Sequence, residues 1–475
     1  MIDPESVLNQ LWAVNHANVL LLGGVLFIAF GLFGGAKRVA VEQMICGVGC
    51  LIVLGIAAVV TMIAQPFAAD ANAMFAADAV TFSGAKLAIF GGVLLTLLGW
   101  NQIRPGRGAD HYGCLLLMLS GLIYTSAAND LVTLFLGLEL VSIPTTVLLS
   151  MSRNDDFARE ATLKYFTLAA FSSGIFLLGV SYLYGLAGST ALPDVYTALA
   201  SDSSMFARLA LGLALCGLCF RVTAVPFHFY APDVFAGSAL HMAASMSFVP
   251  KVAGFVAIVR LLGGAELNQG ISNTALPLIL VIAATTMTVG NCAAIVQTRA
   301  RRLLAYSSVA HSGYLLLAVA AVLTRGDAPT ILFDYLMVYA AMTLGLFAVI
   351  LSVEQSSTNR SDELTQFDGL YSRNPWLAAG GVICLLSLTG LPLTAGFWAK
   401  LQIFLECLAA ERSDVRFVAI LMAINAVIAA VYYLSLVYRM FVPQPRGAIA
   451  SRTAPAAGIA CGIASLVTTI WFFFP

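Results

Sequence analysis

The chain has 475 residues, 60% of them hydrophobic and 10% charged, and its 24 basic and 24 acidic residues balance to a formal net charge of zero. With a mean hydropathy of +0.91, this composition excludes an ordinary water-soluble domain, and the even charge balance gives no sign of a nucleic-acid partner or a strongly charged soluble ligand. The fold class it predicts is an all-α polytopic membrane protein, because apolar runs of 18 or more residues, each able to cross about 30 Å of hydrocarbon as helix, recur along the sequence.

Taken in chain order, the predicted spans are 18–35, 39–64, 81–100, 111–128, 130–150, 161–186, 205–226, 239–263, 273–297, 302–324, 328–354, 374–409 with a break, 415–442 and 454–474, about 14 transmembrane helices. The N-terminus carries Asp3 and Glu5 and no basic stretch, which predicts that the first span is retained and not cleaved as a signal peptide. The whole of 1–475 reads as a single integral membrane domain: helices 1–3 within 1–110, a first repeat over 111–263, a second over 273–442 and a last helix at 454–474. Of 18 Lys and Arg residues placed in connections, 13 fall in loops after odd-numbered spans (Arg104, Arg153, Arg299 and Arg302 among them) and 5 on the other face. The odd loops are therefore assigned to the cytoplasm and both termini to the outer face.

Five lysines occur, and four lie inside predicted spans, where an ammonium costs roughly 3 kcal/mol at the bilayer centre and calls for a partner, a wet cavity or a function. Lys86, near the outward start of span three, is adequately explained by snorkelling. Glu139 stands mid-span with Pro144 five residues on, where proline loosens the helix and frees a carbonyl; a carboxylate there is protonated or paired with a cation. Lys164, near the cytoplasmic end of the next span, has two readings: snorkelling to the interface, or a part in ion transfer.

Span seven runs through Arg221, Pro226, His228, Pro232 and Asp233, and two prolines there predict a discontinuous helix. Broken helices are tolerated in a membrane only where their free backbone groups line a protein-enclosed polar cavity, as in many ion transporters. Lys251 follows Pro250 and lies too deep in span eight for easy snorkelling. In span ten, His311 shares a helix with Tyr306, Ser307 and Ser308; a relay histidine and a hydrogen-bonded core histidine are both open readings, and the serines also suit close helix packing. Span twelve repeats the break with Gly390 and Pro392 and places Lys400 beyond it. Two breaks five spans apart predict two five-helix repeats, spans 4–8 and 9–13, inverted because the repeat length is odd.

Cys216 and Cys219 form a C-x-x-C, and Cys46 and Cys50 lie one turn apart, but all nine cysteines fall in apolar helical context and read as packing residues. No Walker sequence occurs and no G-x-G-x-x-G follows a strand, so nucleotide and hydride chemistry are not expected within this polypeptide.

Read together, Phe135-Leu-Gly-Leu-Glu139, Lys164-Tyr-Phe, Val225-Pro-Phe-His228, Ala231-Pro-Asp-Val234, Pro250-Lys251, Arg302-Leu-Leu-Ala-Tyr306-Ser-Ser-Val-Ala-His311, and Gly390-Leu-Pro392-Leu-Thr-Ala-Gly396-Phe397 with Lys400 closely resemble the antiporter-like membrane subunits of proton-pumping NADH:quinone oxidoreductase, respiratory complex I, subunit N in particular. The resemblance spans nearly the whole chain. It implies that Glu139, Lys164, Lys251 and Lys400 belong to a central hydrophilic axis of proton transfer, with His228 and His311 as candidate relays, and that Arg221 stands where the family has a lysine. It further implies a bacterial inner-membrane location, other membrane-arm subunits including further antiporter-like ones as partners, and electron transfer elsewhere: no cofactor or metal in this chain, with NADH, FMN, iron–sulfur clusters and quinone in partner subunits.

Two departures from the family pattern stand out. Arg221 keeps its proton at any accessible pH, so its expected role is a fixed positive charge favouring ionised Glu139. Gly237-Ser-Ala-Leu-His241-Met242 lacks the two prolines the family has there, and His241 has two readings, an added proton-entry group or an interfacial residue with no transport role, of which the second is the expectation. The alternative function, sharing fold and axis, is a subunit of a multi-subunit cation/proton antiporter; a non-pumping spacer is a third.

Overall fold

The computed structural model describes residues 14–33, 39–64, 73–100, 102–202, 204–263, 269–325, 329–356, 362–442 and 455–473. Asp3, Glu5, Lys37, Arg38, Arg360, Arg446 and Arg452 lie outside the described residues. In chain order the α-helices are α1 (Asn15–Phe33), α2 (Val39–Ile63), α3 (Ala79–Gly99), α4 (Gly108–Ala127), α5 (Leu131–Ser152), α6 (Asp156–Ala187), α7 (Leu192–Ser201), α8 (Met205–Arg221), α9 (Ala231–Gly237), α10 (Leu240–Leu262), α11 (Gln269–Ile295), α12 (Ala300–Arg325), α13 (Thr330–Ser356), α14 (Leu370–Arg373), α15 (Pro375–Thr389), α16 (Ala395–Ala409), α17 (Ser413–Phe441) and α18 (Pro455–Phe473). Among the described residues, 11 helices are long and apolar enough to cross a membrane.

Helix starts are set by side chains that satisfy the first free N–H groups: Asp78 accepts from Thr81, Asp130 from Val132, Asp155 from Ala158 and Asn374 from Leu377. Burial then sorts the helices. Every residue of α10 is buried, and α12 and α13 are nearly so, whereas α1, α2, α6, α17 and α18 turn Leu26, Ile52, Phe171, Ile424 and Leu466 outward. That apolar exterior is the expected surface against lipid. The three central helices are the ones carrying Lys251, His311 and several hydroxyls, so the polar residues of this chain sit at its centre.

Two helix pairs pack backbone to backbone. A Cβ on Gly121 of α4 would stand 2.8 Å from the backbone of Leu140 and Val141 in α5, and one on Gly313 of α12 would stand 2.5 Å from the Met287 nitrogen in α11. Small residues at such crossings are how membrane helices approach closely without a hydrophobic drive. All nine cysteines are free thiols.

Candidate functional site: a buried polar line through two broken helices

The first break follows directly from the prolines. Helix α8 stops at Arg221, residues 222–230 pass through turns instead of continuing the helix, and α9 begins with Pro232 in its first turn, where a missing N–H costs nothing. Arg221 is 5% exposed and spends its donors on four acceptors: Glu139 Oε1 at 2.7 Å, Ser173 Oγ at 3.0 Å, the Leu138 carbonyl at 3.0 Å, and the Ser142 hydroxyl. Ser173 Oγ donates to Glu139 Oε1 at 2.6 Å. The carboxylate is thus held by a cation and a hydroxyl, which satisfies the requirement that a charge in the membrane be paired. The carbonyl serving Arg221 is that of Leu138; the one that Pro144 deprives of its helical donor is Leu140.

Beyond the break, the line continues through hydroxyls. Thr223 Oγ1 lies 3.3 Å from Ser312 Oγ, and Ser312 Oγ donates to the Ser308 carbonyl at 3.1 Å. Lys251, 1% exposed, donates to the carbonyl and hydroxyl of that same Ser308 and to Tyr339 Oη at 3.4 Å, and its Nζ lies 5.0 Å from the Tyr339 ring centroid. His311 bonds Tyr335 Oη at 2.8 Å through Nδ1 and Tyr433 Oη at 3.3 Å through Nε2, and its ring centroid is 5.3 Å from that of Tyr339. Ser308, His311 and Ser312 share one face of α12 by their three- and four-residue spacing, as Tyr335 and Tyr339 do on α13.

At the second break, Gly390 adopts φ 85° and closes α15, and its N–H together with that of Leu391 returns to the Leu386 carbonyl. This leaves the carbonyls of Leu388 and Thr389 without helical donors. Lys400, on α16, reaches back to them at 2.6 and 3.0 Å, with Nζ 5.2 Å from the Tyr314 ring centroid. An ammonium at the negative end of a helix and over an aromatic face is held without a carboxylate. Among the described residues, neither Lys251 nor Lys400 forms an ion pair.

Lys164 stands apart from Glu139. It is 39% exposed and pairs with Glu160 Oε1 at 2.7 Å and Asp233 Oδ2 at 2.8 Å, while Arg302 reaches Asp233 Oδ1 at 3.2 Å. These groups line a recess of about 1060 Å³ together with Arg104, Arg153, Arg299, Arg301, Glu354 and His241. Ser173, the α6 contact of Glu139, lies nine residues further along the helix, roughly 13 Å at 1.5 Å per residue. His228 lies in the first break with Nδ1 buried and unpartnered among the described residues, and takes no part in the line. Lys86 is exposed on α3. His241, at the start of α10, is 6% exposed and packs against His111 of α4.

Several members of the line carry no mark in a residue-by-residue reading. Ser173, Ser142, Thr223 and Ser312 are small polar residues that resemble packing groups, and Asp233 appears only as part of a motif; the periodic face of Ser308, His311 and Ser312 is the signal that was available.

A helical membrane bundle with two broken helices and cations buried at its centre defines a class: membrane proteins that move small ions along an internal hydrophilic path. The family model described as "NADH:quinone oxidoreductase/Mrp antiporter, TM" matches residues 128–429, and this chain belongs to that family. NADH-quinone oxidoreductase subunit N 1 of Solibacter usitatus is 37% identical over 371 residues, covering 77% of this chain and 75% of the relative. A chain of respiratory complex I from Thermus thermophilus aligns with a TM-score of 0.81 at 30% identity over 97% of each chain. A chain of the Mrp complex from Dietzia sp. shares the fold with a TM-score of 0.83 at 19% identity, over 98% of this chain and 95% of that one.

Proposed function

We propose that this chain is a proton-translocating membrane subunit, of the subunit N kind, in a bacterial NADH:quinone oxidoreductase. The observation that carries the reading is the set of buried polar groups, in two pieces: Glu139 with Arg221 at the first break, and Thr223, Ser312, Ser308, Lys251, Tyr339, His311 and Tyr433 beyond it, centred on the most deeply buried helices of a lipid-facing bundle. Such groups are expensive in a membrane interior and are otherwise unexplained. The relatives named above favour the oxidoreductase over the cation/proton antiporter.

In this reading Lys164 and Asp233 sit at the cytoplasmic recess, Arg221 is the fixed charge beside Glu139, and Lys251 and Lys400 are the groups that gain and lose protons, with His311 between them. His228 is a peripheral relay candidate. Lysine qualifies because burial opposes its charged form, whereas arginine keeps its proton. Moving one charge against a potential costs about 2.3 kcal/mol per 100 mV, so a membrane at ~180 mV demands ~4 kcal/mol. A buried ion pair alternating between strong and weak coupling is of that order. Electron transfer belongs to partner subunits carrying NADH, FMN, iron–sulfur clusters and quinone, and coupling reaches this chain as a conformational or electrostatic signal.

The fourteen-crossing, inverted-repeat arrangement belongs to the same proposal. The 11 apolar helices, the 20-residue α4 and the two broken pairs α8/α9 and α15/α16 add up to that number, and the α4–α5 and α11–α12 glycine crossings occupy corresponding places in spans 4–8 and 9–13. The basic recess supports placing the odd loops in the cytoplasm and both termini outside.

The test is purification from native membranes followed by reconstitution into vesicles. The expected result is co-purification with quinone-reducing, iron–sulfur subunits and NADH-driven acidification that falls in Glu139→Gln and Lys400→Ala. Sodium-dependent exchange without redox partners would replace this reading with the antiporter, and a full proton yield per electron in either variant would remove that residue from the axis.

A further inference from the structure

The buried start of α10 brings two histidines together. The His241 ring meets that of His111 on α4 with centroids 5.3 Å apart and planes at 62°, and His111 is itself only 7% exposed. Both line a gap of about 10 Å³ with Gln102, Arg104, Arg107 and Ser152, close to the space one water requires. His241 also lines the large recess that holds Lys164 and Asp233. It therefore forms part of the wall between the recess and the interior.

On the far side, α10 continues towards the axis with polar groups. Ser245 Oγ donates to the His241 carbonyl at 3.0 Å, Tyr339 Oη donates to the Ser247 carbonyl at 3.3 Å and to Ser308 Oγ at 3.0 Å, and Ser308 accepts from Lys251. From His241 to Lys251 is ten residues, roughly 15 Å of helix.

The charged groups around the pair decide what it can do. Arg107 and Asp110 pair with each other at 3.1 Å, Arg301 on α12 pairs with Glu354 at 2.6 Å, and Arg104 lines the gap. Tyr112 lies edge-on to His111 with ring centroids 5.3 Å apart. Two imidazoles in contact, beside arginines whose charge is only partly offset, do not both carry protons, because like charges at this range oppose one another. Lys164 in the same recess is paired with two carboxylates, Glu160 and Asp233. A histidine can take a proton on one nitrogen while releasing it from the other.

We propose that His111 and His241 form a proton-loading pair that accepts one proton at a time from the cytoplasmic recess and passes it inward, towards Lys251 on the same helix. The proposal rests on the proton-translocation reading. It assigns a transport role to a position where this chain departs from the pattern of the family it resembles.

The experiment uses the assembled oxidoreductase in inverted membrane vesicles, with NADH-driven acidification and NADH oxidation followed across pH, for the wild type, His241→Gln, His111→Gln and the double variant. Each single variant is expected to lower the pumping rate at least about tenfold, a conservative figure beside the roughly 10²–10⁴-fold of a positioned proton donor or acceptor. The alkaline decline of the rate should move to lower pH, and the double variant should be no worse than either single one, because the pair acts as a unit. Wild-type rates and pH profiles in the singles, or additive losses with an unchanged profile, would overturn the proposal in favour of a packing role. A wild-type complex that acidifies nothing would instead sink the translocation reading itself. Complex abundance on native gels controls for assembly, and His111→Gln, on a separate helix, carries the test should His241→Gln not assemble.

Discussion

At the first break α8 ends on Arg221, whose guanidinium meets the Glu139 carboxylate at 2.7 Å; at the second, Lys400 sits on the helix after the break and turns back onto the carbonyls of Leu388 and Thr389. Both devices use a helix end to hold a cation in the membrane, yet only the first supplies a carboxylate. The difference follows from the chemistry of the two cations. A permanent charge has no way to relieve its burial and needs a counter-charge, whereas a lysine held only by carbonyl dipoles and a ring face relieves the cost by losing its proton. In the proposed reading the first break holds charge and the second exchanges it.

The largest expected effect comes from taking the counter-charge away. Glu139→Ala leaves Arg221 buried and unpaired, a loss of about 3–5 kcal/mol for a fully buried pair, and towards the lower end here because the Glu139 side chain is 23% exposed. Reduced abundance of the assembled complex on native gels, with little residual pumping, is the predicted outcome. Glu139→Gln keeps the contact with Ser173 and should assemble better while pumping no better. Wild-type abundance and pumping in Glu139→Ala would mean that the first break does not depend on its carboxylate.

Exchange at the second break is tested by fixing its charge. Lys400→Arg puts a cation that cannot release its proton among the same carbonyls, and pumping should fall at least about tenfold, equivalent to ~1.4 kcal/mol in barrier, with the subunit still assembled. A Lys400→Arg variant that pumps normally would erase the distinction between the two breaks.

The converse change, Arg221→Lys, is expected to be milder. Lysine offers three donors where Arg221 now serves four acceptors, so the Glu139 pair should loosen and the pH dependence of pumping should change while activity persists. Normal pumping with an unchanged pH profile would deny Arg221 a distinct role.

How much of this was legible beforehand varies with physical range. The spans, the two breaks and the buried ionisable residues follow from local rules: apolar length, proline without an N–H, glycine at a left-handed cap. The Arg221–Glu139 pair joins residues 82 positions apart, beyond the reach of any local rule; the expectation that Arg221 acts on Glu139 comes from the resemblance and from the demand that each charge find a partner. The resemblance makes Lys164 a member of the axis, and its partners are Glu160 on its own helix and Asp233 on α9, a residue with no periodic signal. The packing of His241 against His111 of α4 joins two helices and leaves no mark in either helix's own pattern.

The smallest test concerns how the second break presents its lysine. Gly390 takes φ 85°, and a Cβ there would stand 3.0 Å from Lys400 Cδ and 3.3 Å from Nζ. Gly390→Ala therefore adds a left-handed strain of about 1–2 kcal/mol and presses on the lysine stem that reaches the Leu388 and Thr389 carbonyls. A melting temperature lower by a few degrees in detergent, with a partial loss of pumping well short of that in Lys400→Arg, is expected, because the stem can shift by a few tenths of an ångström while Nζ keeps one carbonyl. Full pumping with the same thermal loss would show that Lys400 tolerates displacement and that its titration, not its placement, is what the second break provides. A loss as deep as that of Lys400→Arg would show the reverse: the carbonyl contacts made possible by the glycine turn matter as much as the proton they hold.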